Sequence, residues 1–133
     1  MKNNLYKFSL LSLSLIFLFA CSPKLNNSVS ETGQHETAVI EIKVQGEDQK
    51  ESNKEVQFDP GMDLLSVMHD NYTIQAKEGL VEGIDGLMAN QGQNKGRYWK
   101  LIINDQMSQK GAKEIIVKDN DRIVWDLTDD WDF

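Results

Sequence analysis

Residues 96–105 read GRYWKLIIND, a tyrosine and a tryptophan side by side at the front of an apolar run. Rings this large either fill a core or offer a flat face on which a flat molecule can stack. Just upstream, Gly79, Gly83 and Gly86 crowd a polar, irregular stretch. Glycines so close together supply positive backbone torsions or let another group approach the main chain. A stacking ring beside accessible amides is the chemistry of binding. The inventory for catalysis is short. Cys21 is the one cysteine, His35 sits in a polar stretch with no neighbours that suggest a metal site, and His69 falls beside apolar positions of a helical pattern. No serine or carboxylate stands at a spacing that suggests a triad. Asp119, Asp121, Asp126, Asp129, Asp130 and Asp132 do not follow the spacing of a calcium loop and suit turns and a solvated tail. These residues point away from an enzyme, with no catalytic or metal-ligating set.

The chain ends set where such a binding surface would work. Lys2 and Lys7 precede an apolar run, FSLLSLSLIFLFA. That run is shorter than the roughly 20 apolar residues a stable span needs, and it reads as a secretory signal. Its end, LFAC, resembles the bacterial lipoprotein box, with Phe19 bulkier than the residue usual at its place. The resemblance implies cleavage before Cys21 and diacylglycerol on its sulfur. Two or three acyl chains then hold the protein at the extracytoplasmic face of the cell membrane. Residues 1–20 are thus expected to be a lipoprotein signal peptide. Residues 21–37 are expected to be a polar tether that cannot bury enough surface to order itself. Residues 38–133 form one domain by length. The formal charge of −7 becomes −9 without Lys2 and Lys7. An acidic surface repels phosphate backbones, so nucleic acid is not an expected partner.

Hydrophobic periodicity supplies the elements that position the rings. In AVIEIKVQ, Ile40, Ile42 and Val44 alternate with polar residues, and KEVQF alternates again through Val56 and Phe58. Together these predict a hairpin. The period changes after Pro60 and Gly61. Asp63 is placed to cap a helix, Leu64, Leu65, Met68 and Tyr72 follow at helical spacing, and Asn71 can close it in a left-handed conformation. Short extended pieces are expected at Thr73–Gln75 and Leu80–Ile84, then a strand at RYWKLIIN and a loop at QMSQKGA. KEIIVKDNDRIVWDL predicts two strands around a tight turn, with Asn120 at positive φ. Period two then sorts the rings. Trp99, Leu101 and Ile103 share one face; Tyr98, Lys100 and Ile102 share the other; Ile123, Trp125 and Leu127 align. Trp99 and Trp125 are expected in the core and Tyr98 on the mixed face. Trp131 and Phe133, in TDDWDF, either fold back on the sheet or form an exposed hook.

Strands with a single helix indicate an α+β fold, a small mixed sheet on one short helix in the β-grasp or ubiquitin-like manner. In their order and spacing, GMDLLSVM, EGLVEGIDGL, RYWKLIIND and KGAKEIIVKDNDRIVWDLTD resemble the transcobalamin-like C-terminal domain. Asp105 and Asn120 stand where that family usually has glycine, and both suit turns. The resemblance implies a module binding one face of a small flat ligand. A corrinoid such as cobalamin is the ligand it suggests, captured for a neighbouring importer with a second protein covering the other face. The candidate ligand-binding residues are Tyr98 first, then Ile84, Asp85 and Gly86, which equally suit a turn linking two strands. The other function in view is a protein-interaction or adhesion module at the cell surface, using a sheet edge or the acidic tail.

Overall fold

The computed structural model describes residues 33–131. The expectations for the signal segment, for Cys21 and for Phe133 lie outside the described residues. In chain order the elements are β1 (Glu36–Val44), β2 (Glu47–Asp48), β3 (Lys54–Phe58), α1 (Leu64–Asn71), β4 (Ile74–Lys77), β5 (Leu80–Ile84), β6 (Leu87–Met88), β7 (Tyr98–Ile103), β8 (Gln106–Met107) and β9 (Asp121–Thr128). Single 3₁₀ turns occupy Gly92–Asn94 and Ala112–Glu114.

β1 and β9 run parallel at the middle of the main sheet, with Ala38 opposite Asp121 and Val44 opposite Leu127. β7 lies antiparallel on the far side of β9, from Tyr98 opposite Thr128 to Ile103 opposite Ile123. β3 and β2 share the outer edge of β1, and β8 pairs with the end of β7. A second, smaller sheet has the order β4-β5-β6. The class is α+β, as the alternating runs and the lone helix indicated.

One face of the main sheet is the core. Ile40 and Ile42 of β1, Ile123 and Leu127 of β9, and Leu64, Val67 and Met68 of α1 are all fully buried. An eight-residue helix is too short to stand on propensity, so this stripe is what holds it. Its start is fixed chemically: Asp63 Oδ1 accepts from the Ser66 N–H at 3.0 Å, and Oδ2 accepts from the Ser66 hydroxyl at 2.6 Å. The Ser66 hydroxyl bond, against the opposing effect of burial, holds the Asp63 carboxyl below its ordinary value. A lowered folded pKa contributes stability above the unfolded value near pH 4 and loses it as pH falls through the folded one. Asp63→Ala should therefore cost about 1 kcal/mol at pH 7 and much less near pH 2, measured by urea unfolding at both pH values.

The helix end differs from expectation. Asn71 is not left-handed; its side-chain amide donates to Val67 O at 2.9 Å, and Tyr72 leaves the helix extended while its N–H bonds Met68 O at 2.8 Å. The segment before β9 also differs, because only β9 is a strand there. Ile115 O accepts from the Leu64 N–H at 2.8 Å, and the Val117 N–H donates to Met62 O at 3.1 Å. The apolar run IIV thus finds its backbone partners at the helix entrance, which period-two patterning cannot reveal. Asn120 does take positive φ, at 64°. Residues 106–107, expected as loop, pair with β7 across a turn in which Asn104 and Asp105 have φ of 50° and 65°.

Candidate functional site

The two sheets meet along a seam between β5 and β7. A cleft of about 380 Å³ opens there, walled by Leu80–Glu82 on one side and Arg97–Trp99 on the other. A smaller cleft of about 130 Å³ continues the seam past Gly79–Val81 and Tyr98–Leu101, closed by Gly111 and Ala112. A third, of about 270 Å³, lies behind Leu80 beside Glu78, Lys113 and Glu114. Leu80 borders all three and is 69% exposed, the most open large apolar side chain among the described residues. Sequence reasoning missed it; the available signal was its alternation with Val81, which turns Val81 inward and Leu80 out.

Alternation sorted the rings as expected. Trp99 and Trp125 are buried and meet edge to face, with centroids 6.5 Å apart at 85°. Tyr98 is half-buried and borders both seam clefts. Its hydroxyl donates to Asp130 O at 2.6 Å, and its ring stacks on Trp131 with centroids 4.2 Å apart at 23°. The chain after β9 therefore folds back over the outer face of β7. Lys100 adds an ion pair to Asp130 at 3.7 Å, and Gln45 Nε2 donates to Asp129 at 3.0 Å. Trp131 remains 58% exposed, so folding back does not remove its ring from solvent.

The other three candidates sit elsewhere. Ile84 is fully buried in the core, and Asp85 and Gly86, with φ of 47° and 83°, form the two-residue turn between β5 and β6. Asp85 is spent on that turn: its carboxylate accepts from the Thr73 N–H at 2.9 Å and its own N–H donates to Thr73 O at 2.9 Å. None of the three borders the seam clefts, so the structure does not bring them to Tyr98. The glycines divide between the two roles foreseen for them. Gly79 and Gly86 take positive φ, while a Cβ on Gly83 would lie 2.3 Å from Met88 Sδ. His69 is exposed on α1.

One charge network lies away from the seam clefts. Arg122 grips Glu41 with two bonds, of 2.8 and 2.9 Å, and reaches Asp105 at 2.6 Å on the outer sheet face. The Arg122 bond holds the Glu41 carboxyl below its usual value. This network braces β1 against β9 and the β7–β8 turn.

Fold and cleft together define a small α+β domain with a half-apolar seam open beside one accessible ring. By its sequence the chain belongs to the family described as Domain of unknown function (DUF4430), whose model matches residues 61–129. No curated protein matches this sequence. Among solved structures, haptocorrin in complex with Cbi is similar at 18% identity and a TM-score of 0.54, over 71% of this chain and 26% of that one. This chain thus corresponds to about a quarter of haptocorrin. A protein described as "a putative metal binding protein from Ruminococcus gnavus ATCC 29149" is similar at 14% identity and a TM-score of 0.52, over 72% of this chain and 99% of that one. At these identities the likeness is one of fold.

Proposed function

We propose that this chain is a lipoprotein tethered through Cys21 at the extracytoplasmic face of the cell membrane, and that its β-grasp-like domain binds a small flat ligand along the β5–β7 seam. The observation that carries the binding reading is the position of Tyr98, a residue that lines both seam clefts. The larger cleft is within the roughly 300–1,000 Å³ typical of small-molecule sites, and its walls combine Leu80, Val81, Ala89 and Trp99 with the polar Glu82, Asn90, Gln91 and Arg97. The hairpin, the lone helix and a last strand parallel to the first support the β-grasp assignment. A corrinoid is the favoured ligand, because the sequence resembles the transcobalamin-like domain and haptocorrin, a structural neighbour, was solved with Cbi. An open seam on one small domain gives limited burial, so a second protein closing the site would raise affinity before hand-over to an importer. The module binds and does not catalyse.

The test is titration of the acylated full chain in detergent with cobalamins and related tetrapyrroles, read by tryptophan quenching corrected for absorbance. Saturation in the micromolar range is expected; no saturable change up to high micromolar removes the corrinoid. Fractionation of cells carrying Cys21→Ser checks the anchor, which fails if the variant stays with the membranes.

A further inference from the structure

In an antiparallel strand the N–H and C=O of one residue point to the same edge, and successive residues alternate between edges. Three bonds establish which residues of β7 face which way. The Asn104 N–H donates to Arg122 O at 2.8 Å, which assigns Tyr98, Lys100 and Ile102 to β9. On the other edge, Arg97 O accepts from the Asn90 N–H at 3.0 Å and Leu101 O accepts from the Ser108 N–H at 2.8 Å. Trp99 lies between those two anchors and turns the same way, toward β5. On that edge β7 has a strand partner only at Ile102 and Ile103, which pair with β8, and no ladder joins Trp99 to β5.

The clefts tell the same story. Four consecutive residues, Tyr98–Leu101, border the smaller one. Side chains of a strand alternate, so a cleft that touches four in a row lies against the backbone edge. Facing it, Gly79, Leu80 and Val81 are also consecutive. At one end the chain bridges this seam itself: the Ala89 N–H donates to Glu82 O at 2.8 Å and the next residue, Asn90, to Arg97 O. Beyond Asn90 the seam widens into the cleft, and the Trp99 edge is left without such a bridge. Unpaired main-chain groups in a mostly buried setting are costly, and they are normally matched by something.

We infer that the β7 edge at Trp99 recognises a planar amide, which offers an acceptor to the Trp99 N–H and a donor to its C=O side by side. This names the ligand chemistry of the seam and rests on the binding function proposed above. A carboxylate would satisfy the N–H but set its charge against the Trp99 carbonyl, and an ester or ketone has no donor for that carbonyl. The apolar flanks, Leu80, Val81 and Met107, shield the pair from water and strengthen it. The side-by-side acceptor and donor have two possible sources: a primary carboxamide on a small molecule, whose C=O and one N–H lie on the same side, and one residue of an extended peptide, whose N–H and C=O belong to successive trans amides.

Backbone ¹H–¹⁵N spectra of the full chain in detergent separate these outcomes. Without ligand, the Trp99 and Leu101 amides should exchange with deuterium ahead of Tyr98, Lys100 and Ile102; equal protection along the strand overturns the edge assignment. Benzamide should shift the Trp99 and Leu101 signals and bind about tenfold more tightly than N,N-dimethylbenzamide, which has lost its donors. Benzoate binding as tightly as benzamide overturns the inference. A doubly blocked alanine tripeptide is the peptide arm. A response to benzamide alone assigns a small molecule, a response to the tripeptide alone assigns a peptide, and silence of both residues in both titrations overturns the site. Gly111→Leu is a blocking variant. The glycine has φ of −70° and ψ of 157°, and an added Cβ would meet its nearest neighbours at 3.8 and 3.9 Å. Its side chain should fill the cleft and abolish the response with urea unfolding unchanged; should it fold poorly, the exchange pattern and the dimethylamide comparison still decide. The two proposals can fail apart. Tetrapyrroles that quench tryptophan yet leave Trp99 and Leu101 unmoved sink the amide site alone, and benzamide binding without any tetrapyrrole binding sinks the corrinoid alone.

Discussion

Trp125→Ala should lower the unfolding free energy by about 3–5 kcal/mol, a large part of the roughly 5–15 kcal/mol a domain has. Trp125 is 4% exposed on the strand between β1 and β7, opposite Ile42 on one side and Leu101 on the other. Removing its ring opens a cavity at the centre of the sheet face and takes away the edge-to-face partner of Trp99. Its indole nitrogen has no hydrogen-bond partner among the described residues, so Trp125→Phe loses ring volume but no bond and should cost less than half as much. Urea unfolding followed by circular dichroism measures both. A loss below about 1 kcal/mol for the alanine variant, in the range of surface substitutions, would show that the ring is not central to the core.

The second large effect falls on binding. Tyr98→Ala should weaken tetrapyrrole binding by about 10- to 100-fold, since a ring contact contributes both buried area and stacking geometry. Tyr98→Phe keeps the ring and should stay within about threefold of the parent, although it gives up the hydroxyl bond to Asp130 and about 1 kcal/mol of stability with it. Trp131→Ala is the informative companion. Tyr98 already stacks one face on Trp131. Tighter binding in Trp131→Ala would mean that the ligand competes for that face, and weaker binding that it uses the two rings together. Unchanged affinity in Tyr98→Ala, with intact folding, removes Tyr98 from the site.

The sequence revealed what depends on local periodicity. Period two over residues 97–103 placed Trp99 inward and Tyr98 on the opposite, mixed face, and Asp63 announced the helix start through its carboxylate. It was weaker where partners are distant. Ile115 and Val117 look like strand residues, yet their main chain pairs with Met62 and Leu64, more than fifty positions away, and nothing in an apolar triplet names that partner. Ile84, Asp85 and Gly86 could equally be ligand contacts or a turn on composition alone. The choice was made by Thr73, whose backbone engages Asp85 from across a hairpin. Leu80 and the free Trp99 edge are consequences of how two sheets abut, and that geometry is written in no single segment.

The parallel pairing of β1 with β9 carries a kinetic consequence. Thr37 and Asp119, hydrogen-bonded beside the first rung of that ladder, are 82 positions apart. The middle of the main sheet cannot zip until a loop of that length has closed, and long-range closure of this kind slows folding. Before then β3 has only β1 to pair with. Refolding should accordingly run on the millisecond-to-second scale of non-local β topologies, and a chain shortened before Asp121 should have no native basin to reach.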